Sequence, residues 1–468
     1  MTDKQKPAKG LNISAKSFLS ALIIIFALMI VTYVLTFLIP SGAYERAEDG
    51  SITNPDAFSY TEDGGLPFWK WILSPFLVLG APSGGGTLAA ILAFLLVIGG
   101  VFEALARCGL MKYILEKLTV RFGHRRYALM AVIVLFFMSL GSLIGSFEEC
   151  VPLVPIVTAL AVNLGWDVIT GMGMSMLAVG CGFAAGVFNP FTVGVAQKLA
   201  GLTMFSGVWL RLLAFVLIYG LLLLCLRLHA RRVERPIDTA AMQASFVKDK
   251  KLERGTVLFA SILGAGILCV LLSGFITALQ DYTMIIVAVM FLAAGIAATL
   301  ACGMSGKQLG AAAGSGIVGM LPAVLMILMA ASIRYTMEEA GIMDTVLHAA
   351  VTAAAGMPRY LLILFIYALV LGMNFFIASG SAKAFMIMPL IVPMAEMFGI
   401  PAQLCVVAYA FGDGFSNVFY PTNPALLISL GLSGTSYGRW AKWSWKFQLC
   451  NLLLTSALLL FGLAVGYC

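Results

Sequence analysis

The sequence predicts an all-α polytopic membrane protein, an inverted repeat that contains two re-entrant helical hairpins and two broken helices. The prediction rests on the composition, on a polar cluster that occurs twice, and on one extra apolar segment between the two copies. Of the 468 residues, 61% are hydrophobic and only 11% are charged, and the mean hydropathy is +0.99. Soluble domains carry about 25% charged residues, so the composition excludes a soluble protein.

The apolar segments have the length that suits a bilayer, about 20 residues each. Lysines precede the first segment, at 18–40, and place the N-terminus in the cytoplasm. Residues 41–70 are predicted to form a polar external loop. The remaining single helices are predicted at 88–106, 207–228, 256–279, 283–303, 316–336 and 447–466, with interfacial helices near 110–118 and 342–353. Most loop lysines and arginines then fall on the inner side, which explains the net charge of +7 without nucleic acid and leaves the C-terminus outside.

A polar cluster occurs twice in this apolar chain. The segment Gly145–Glu149 recurs as Ser379–Lys383. The proline and the glycine that follow recur at the same offset, Pro155 as Pro389 (389−155 = 234) and Gly165 as Gly399 (399−165 = 234). Phe188-Asn189-Pro190 is matched with Phe419-Tyr420-Pro421, at 421−190 = 231. Each copy crosses the membrane an even number of times, so a second copy that followed directly would keep the orientation of the first. The extra helix at 256–279 adds one crossing and therefore inverts the second copy relative to the membrane. The predicted organisation is a cytoplasmic N-terminus at 1–17, a first repeat at 18–235, a cytoplasmic linker and linking helix at 236–280, and a second repeat at 281–468.

The duplicated cluster interrupts the long apolar segments 127–165 and 359–399, which are predicted to be re-entrant hairpins. Their tips leave backbone N–H groups unpaired, and a partial positive charge develops at the start of each second arm. Glycine allows close backbone approach and serine adds a hydroxyl, so Ser146, Ser379, Gly380 and Ser381 suit a carboxylate. The alternative is an ordinary pair of spanning helices with a short polar loop.

The segments 168–200 and 402–430 are predicted to be broken helices, because each contains proline beside polar residues. Proline removes an intrahelical donor and frees carbonyls, which at membrane depth are tolerated only against protein or a water-lined cavity. Asn189, Thr422 and Asn423, with Thr192, suit a substrate's polar groups or a coupling ion near Gly145, Asn189 and Asn423. The alternative is a plain proline kink in each helix.

Four charged residues lie inside apolar sequence, where a charge costs about 2.5–3.5 kcal/mol or more. They are Glu148, Glu149, Lys383 and Asp413. The glutamates and Asp413 suit an amine or a cation, and an ion pair between Lys383 and Glu148 or Glu149 is expected across the two copies. The alternatives are an exposed loop for the glutamates and a structural hydrogen bond for Asp413.

No catalytic, metal or cofactor site is expected. The three histidines are far apart, the nine cysteines form no CxxC pair, and Gly306-Lys307 lacks the rest of a phosphate-binding loop. The chain is therefore not expected to be an enzyme. Its expected partners are a small-molecule substrate and membrane lipid, with sodium or protons as the only candidate coupling ions.

The chain resembles the YfcC-type basic amino-acid antiporter family, which is grouped with the anaerobic dicarboxylate carriers in the wider ion-transporter superfamily. The matching stretches are Leu96–Phe102, Gly145–Glu149, Asn189-Pro190 with Val195–Gln197, Ser379–Ser381, and Phe411–Ser416 followed by Tyr420–Thr422. The resemblance implies an elevator-type carrier, usually a homodimer, in the bacterial cytoplasmic membrane. The family has a small or amide side chain where this chain has Lys383, so the lysine either replaces a coupling ion or binds a substrate carboxylate.

The sequence thus predicts a secondary active transporter, an antiporter or ion-coupled symporter. A basic or zwitterionic amino acid explains the two glutamates best as the substrate. A dicarboxylate is the alternative substrate, and a channel or membrane sensor on the same scaffold is the alternative class.

Overall fold

We describe the fold from a computed structural model, which describes residues 15–47, 52–54, 57–61, 65–81, 85–236, 246–273, 283–354 and 356–467. Residues 1–14, 237–245 and 274–282 hold most of the predicted N-terminal segment and parts of the predicted linker, and they lie outside the described residues.

The described residues are mostly helical. The α-helices in chain order are α1 Ala15–Leu38, α2 Phe68–Leu77, α3 Gly85–Arg107, α4 Leu110–Phe122, α5 Arg126–Leu143, α6 Val154–Asn163, α7 Val168–Met172, α8 Ala178–Ala185, α9 Val195–Leu199, α10 Val208–Val233, α11 Lys250–Ser273, α12 Thr283–Ala301, α13 Gly306–Glu339, α14 Ile342–Ala354, α15 Arg359–Asn374, α16 Gly380–Met397, α17 Ala402–Asn417, α18 Pro424–Leu432 and α19 Tyr437–Ala464. Short 3₁₀ turns are Val78–Gly80, Gly123–Arg125 and Glu148–Leu153, and π-helical turns are Gly173–Leu177 and Pro190–Gly194. Two strands, β1 Gly42–Tyr44 and β2 Phe58–Tyr60, pair antiparallel.

Length and composition identify this fold as an integral membrane protein. Among the described residues, seven helical segments are long and apolar enough to cross a membrane. Large apolar side chains also face outward, as expected where lipid replaces water; examples are Phe37, Val132 and Leu453. The prediction of an all-α polytopic membrane protein is therefore confirmed at this level.

The region predicted as an external loop at 41–70 contains more structure than expected. The β1–β2 hairpin docks on α14, where the Tyr44 N–H donates to Asp344 Oδ2 at 3.1 Å and Arg46 Nη2 donates to Asp344 Oδ1 at 2.5 Å. The ring of Phe58 stacks on His348 with centroids 4.0 Å apart. The sequence prediction missed this docking, because the docking depends on contacts with residues about 300 positions away. It also missed the start of α2 at Phe68.

Each predicted hairpin consists of two helices joined by a break. The first comprises α5 and α6 with its 3₁₀ turn, and its ends lie together because Arg126 Nη1 donates to the Leu164 carbonyl at 3.0 Å. The second comprises α15 and α16, which contact each other.

The two broken helices, α7–α9 and α17–α18, run antiparallel. At one end Gln197 Nε2 donates to Gln403 Oε1 at 3.0 Å, and at the other Ser433 Oγ lies 3.1 Å from Met172 Sδ. The first hairpin ends just before α7 begins, and the second ends just before α17 begins. The two hairpins therefore open at opposite ends of the molecule.

Asp167 ties three elements together at the end where the first hairpin opens. It caps α7 by accepting from the Thr170 N–H at 2.9 Å, and it contacts His229 Nε2 at 3.2 Å and Arg439 Nη2 at 3.5 Å. Burial raises the pKa of Asp167, but the hydrogen bonds from His229 and Thr170 outweigh burial and lower the pKa to about 2.

We expect Asp167→Asn to lower the thermal stability of the detergent-solubilised protein at pH 7. Because the folded-state pKa lies below the ordinary 3.8, the carboxylate's contribution is complete above pH 3.8 and is lost as pH falls toward about 2. The difference in melting temperature between wild type and variant should therefore shrink over that interval. A difference that stays constant down to pH 2.5 would contradict this assignment.

Candidate functional site

The tip of the first hairpin is bonded to the break in the first broken helix. Gly145 ends α5 in a left-handed conformation, with φ +76°. Just before it, Ser142 Oγ accepts from the Val187 N–H at 3.0 Å, and the Ser142 carbonyl accepts from the Phe188 N–H at 3.0 Å. These two bonds satisfy donors that the interrupted helix leaves free, so tip and break form one polar junction.

The break itself has a definite geometry rather than a simple kink. Gly186 ends α8 with φ +49°, and the chain restarts at Pro190, whose missing N–H is harmless at a first helical position. Asn189 caps the restarted helix, its Oδ1 accepting from the N–H groups of Phe191 at 3.0 Å and Thr192 at 3.3 Å.

The second broken helix repeats this device at a different proline from the one matched in the sequence. Asn423 caps α18 by accepting from the Leu426 N–H at 3.1 Å, and Pro424 stands at the first helical position. Asn189-Pro190 therefore corresponds to Asn423-Pro424, and 423−189 = 234 equals the offset of the rest of the cluster. The match to Tyr420-Pro421 was wrong, because it relied on an aromatic–proline pair and not on the capping asparagine.

The tip of the second hairpin reaches the first broken helix. Ser379 caps α16, and Gly380 follows it. A Cβ atom at Gly380 would lie 2.7 Å from Thr192 Cγ2 and 2.8 Å from Asp413 Oδ2. The hydroxyl of Tyr409 donates to the Gly380 carbonyl. Only glycine lets this tip approach both broken helices at once.

A buried ion pair lies directly behind that tip. Lys383 and Asp413 have no exposed side-chain surface, and Lys383 Nζ donates to Asp413 Oδ1 at 2.5 Å. The same ammonium donates to Asn374 Oδ1 and, at 3.4 Å, to the Ile377 carbonyl. The expected pairing of Lys383 with Glu148 or Glu149 is therefore wrong, since Asp413 from its own half of the chain supplies the counter-charge.

Asn374 was missed by the sequence analysis although it connects the second half of the site. Its Nδ2 donates to the Asp413 carbonyl at 3.1 Å and to Asn417 Oδ1 at 3.0 Å. Asn417 Oδ1 also accepts from Asn423 Nδ2 at 3.0 Å. The available signal was a single amide inside the apolar stretch that ends α15.

Five of the predicted polar residues carry a buried atom that has no hydrogen-bond partner among the described residues. Five such atoms belong to these junctions: Ser146 Oγ, Asn189 Nδ2, Thr192 Oγ1, Asp413 Oδ2 and Thr422 Oγ1. An unpaired buried polar atom costs about 1–3 kcal/mol, so an accumulation of them at two joined helix breaks is typical of a binding site.

The remaining predicted residues lie at the rims of the tips. Glu149 is half-buried and its Oε2 accepts from the Phe147 N–H at 3.1 Å, which holds the first tip in shape. Glu148 is also half-buried. Ser381 is half-buried in the first turn of α16. Among the described residues, no group of three or more histidine, cysteine or acidic side chains could hold a metal ion.

Helix breaks that meet inside a membrane protein, with buried ionisable and unpartnered polar groups, define the class as a membrane transporter. The chain belongs to the C4-dicarboxylate anaerobic carrier family, because the model of that family matches residues 18–464.

Individual relatives are consistent with this family. The chain is 27% identical to the Escherichia coli K12 protein named "Putative basic amino acid antiporter YfcC", over 95% of this chain and 96% of that protein. An uncharacterised protein of Haemophilus influenzae is 25% identical over 98% of both chains. The solved structure of the Alcanivorax borkumensis YdaH transporter aligns over 96% of this chain and 99% of its own, with 20% identity and a TM-score of 0.46. The family model and the two relatives of similar sequence confirm the resemblance to the YfcC-type family.

Proposed function

We propose that this protein is a secondary active transporter of a small amino acid, basic or zwitterionic. The observation that carries the proposal is the set of five unpartnered atoms at the junction of tips and breaks. Three hydroxyls and one amide N–H are available to donate to a carboxylate, and Asp413 Oδ2 is available to accept from an ammonium group. A zwitterionic substrate fits this set, because its carboxylate can accept from the donors and its ammonium group can donate to Asp413 Oδ2.

The hairpin tips strengthen the carboxylate side of the proposed site. Three helices begin at these junctions, α16 and the helices that restart at Pro190 and Pro424, and the partial positive charge at a helix N-terminus favours a carboxylate. Glu148, half-buried at the first tip, adds negative charge, which suits the longer cationic side chain of a basic amino acid.

We further propose that the two hairpins are re-entrant, that the two copies form an inverted repeat, and that the cargo moves by an elevator mechanism. Tight backbone contacts support the last point, because they unite the elements that surround the site. Gly141 of α5 lies against the Val179 carbonyl of α8, and Gly414 of α17 lies against Ala184 of α8. A unit packed this closely moves as one body more readily than its helices slide individually.

The remaining parts of the proposal concern the cellular setting. We place the carrier in the bacterial cytoplasmic membrane, with the N-terminus inside and the C-terminus outside, as a homodimer. The distribution of loop lysines and arginines supports the orientation, and the family supports the dimer.

A dicarboxylate is the second candidate substrate, and the description of the family favours it. The geometry around Lys383 favours it less, because this ammonium already donates to three oxygens. A succinate molecule would find hydroxyl and N–H donors but no free cationic side chain in this set, and it would meet the carboxylate of Asp413.

The cargo is tested by uptake into proteoliposomes of labelled arginine, ornithine, alanine and succinate, with and without sodium or proton gradients. We expect saturable uptake and counterflow of an amino acid, and slower uptake of succinate. Conductance without counterflow would identify a channel instead, and preferential succinate transport would overturn the amino-acid assignment.

Ser146→Ala provides the matching site variant, and Thr352→Val, which changes an exposed residue of α14, is its control. Removing an unpartnered buried hydroxyl should leave thermal stability unchanged or slightly higher, while the substrate loses a hydrogen bond worth about 0.5–1.5 kcal/mol. We therefore expect about a 2- to 10-fold higher KM in Ser146→Ala. A loss of stability with unchanged KM would assign Ser146 to the fold alone.

A further inference from the structure

The ammonium group of Lys383 lies in a cage made of oxygen atoms. Its three acceptors are a carboxylate oxygen of Asp413, the amide oxygen of Asn374 and the backbone carbonyl of Ile377. The carbonyl belongs to the break that follows α15, where the C-terminal end of a helix presents free carbonyls and partial negative charge. Carboxylate, amide and carbonyl oxygens at an interrupted helix are the ligand set that carriers offer to a sodium ion.

The number of donors decides what this lysine can do. An ammonium group has three N–H donors, and Lys383 has three acceptors, all within the protein. With every donor in use and the side chain fully buried, Lys383 has none left for a substrate carboxylate. Its charge instead neutralises Asp413 and joins α16 to α17 across the second hairpin.

We infer that Lys383 is a tethered cation that occupies a sodium-type site of the second hairpin. The inference deepens the proposed function, on which it rests for the identity of the carrier. The lysine holds the tip of α16 against the second broken helix permanently, whereas a bound ion would do so only when loaded. Transport by the wild-type protein therefore requires no sodium at this position, and removal of the ammonium creates a cage that sodium fills.

The free oxygen of Asp413, Oδ2, links the oxygen cage around Lys383 to the proposed substrate site. Oδ1 is held by Lys383, and Oδ2 is unpartnered and lies beside Gly380. A cation beside Oδ1 keeps the carboxylate oriented with Oδ2 toward the tip. Whichever cation fills the cage, lysine or sodium, thus positions the group that we assign to the substrate's ammonium.

The test compares Lys383→Ala with wild type in two assays. In the first, thermal unfolding of the purified protein in detergent, without any substrate, is followed in sodium, lithium, potassium and choline chloride at equal ionic strength. We expect sodium to raise the melting temperature of Lys383→Ala and to leave wild type unchanged relative to choline. In the second, uptake by Lys383→Ala is at least about tenfold slower than wild type in choline and recovers in sodium.

Two variants act as controls. Lys383→Ala/Asp413→Asn lacks the carboxylate of the cage, so it should show no sodium stabilisation. Lys442→Ala removes an exposed lysine of α19 and should behave as wild type.

The inference is overturned if Lys383→Ala is not stabilised by sodium, or if sodium stabilises wild type as much as it stabilises Lys383→Ala. Sodium stabilisation of Lys383→Ala in a protein that transports none of the tested substrates would uphold the cage and overturn the proposed function instead.

Discussion

Replacement of Asp413 by asparagine is expected to lower the free energy of unfolding by about 3–5 kcal/mol, because Lys383 would be left as an unpaired charge in the interior. Uptake should fall by a further 10- to 100-fold, roughly the value of a hydrogen bond to a charged group, since the substrate loses Oδ2 as well. Thermal unfolding in detergent and initial rates in proteoliposomes measure the two effects separately.

Glu396→Gln is the matched control for Asp413→Asn. It removes a carboxylate from the exposed side of α16, the helix that carries Lys383, and should change neither quantity. The double variant Lys383→Met/Asp413→Asn removes both charges and should be more stable than Asp413→Asn alone, because no unpaired charge remains. Equal stabilities for the single and double variants would argue against the ion pair.

Gly145→Ala is expected to destabilise the first tip and to reduce uptake at least about tenfold. Two causes add. An L-residue at φ +76° costs roughly 1–2 kcal/mol, and the new Cβ would lie 2.9 Å from both Asn189 Cγ and a ring carbon of Phe191. Relieving such overpacking typically costs about 1–3 kcal/mol more. The new Cβ would displace Asn189, which caps the helix that restarts at Pro190, so the helix break at the proposed site would also shift.

Gly109→Ala separates these two causes. Gly109 has a similar φ of +79°, but a Cβ there would meet nothing within 4 Å. It should therefore show the backbone strain alone, with uptake close to wild type. If the two alanine variants lose the same stability and activity, the contact between tip and break has no special role.

The helical membrane fold was predictable because it depends on local composition. Apolar runs of sufficient length identify membrane helices wherever they pack, and asparagine or serine before proline or glycine identifies breaks. Ser146, Asn189 and Thr422 were selected because they lie at such breaks, and Asp413 was selected because it is a charge inside apolar sequence. Each proved to have an unpartnered buried atom.

Partner choice was not predictable, because it depends on which helix faces meet. Lys383 and the glutamates occupy matching places in the two copies, yet the ammonium turns toward Asp413, 30 residues along the chain. Asn374 was overlooked for the same reason: one amide in apolar sequence acquires a role only when α15 and α17 bring it to the cage. The docking of the β1–β2 hairpin on α14 likewise joins residues about 300 positions apart.

The revised match of Asn423-Pro424 to Asn189-Pro190 has a consequence for how this chain tolerates insertions and deletions. From Gly145 to Pro190, and from Ser379 to Pro424, every matched position is offset by 234, whereas Gly109 and Gly341 differ by 341−109 = 232. One inserted residue in a helix rotates everything beyond it by about 100° and shifts it by about 1.5 Å, which would carry a tip away from its break. The two 46-residue blocks (190−145+1) keep the same spacing, and we therefore expect a one-residue insertion or deletion within either block to be tolerated poorly.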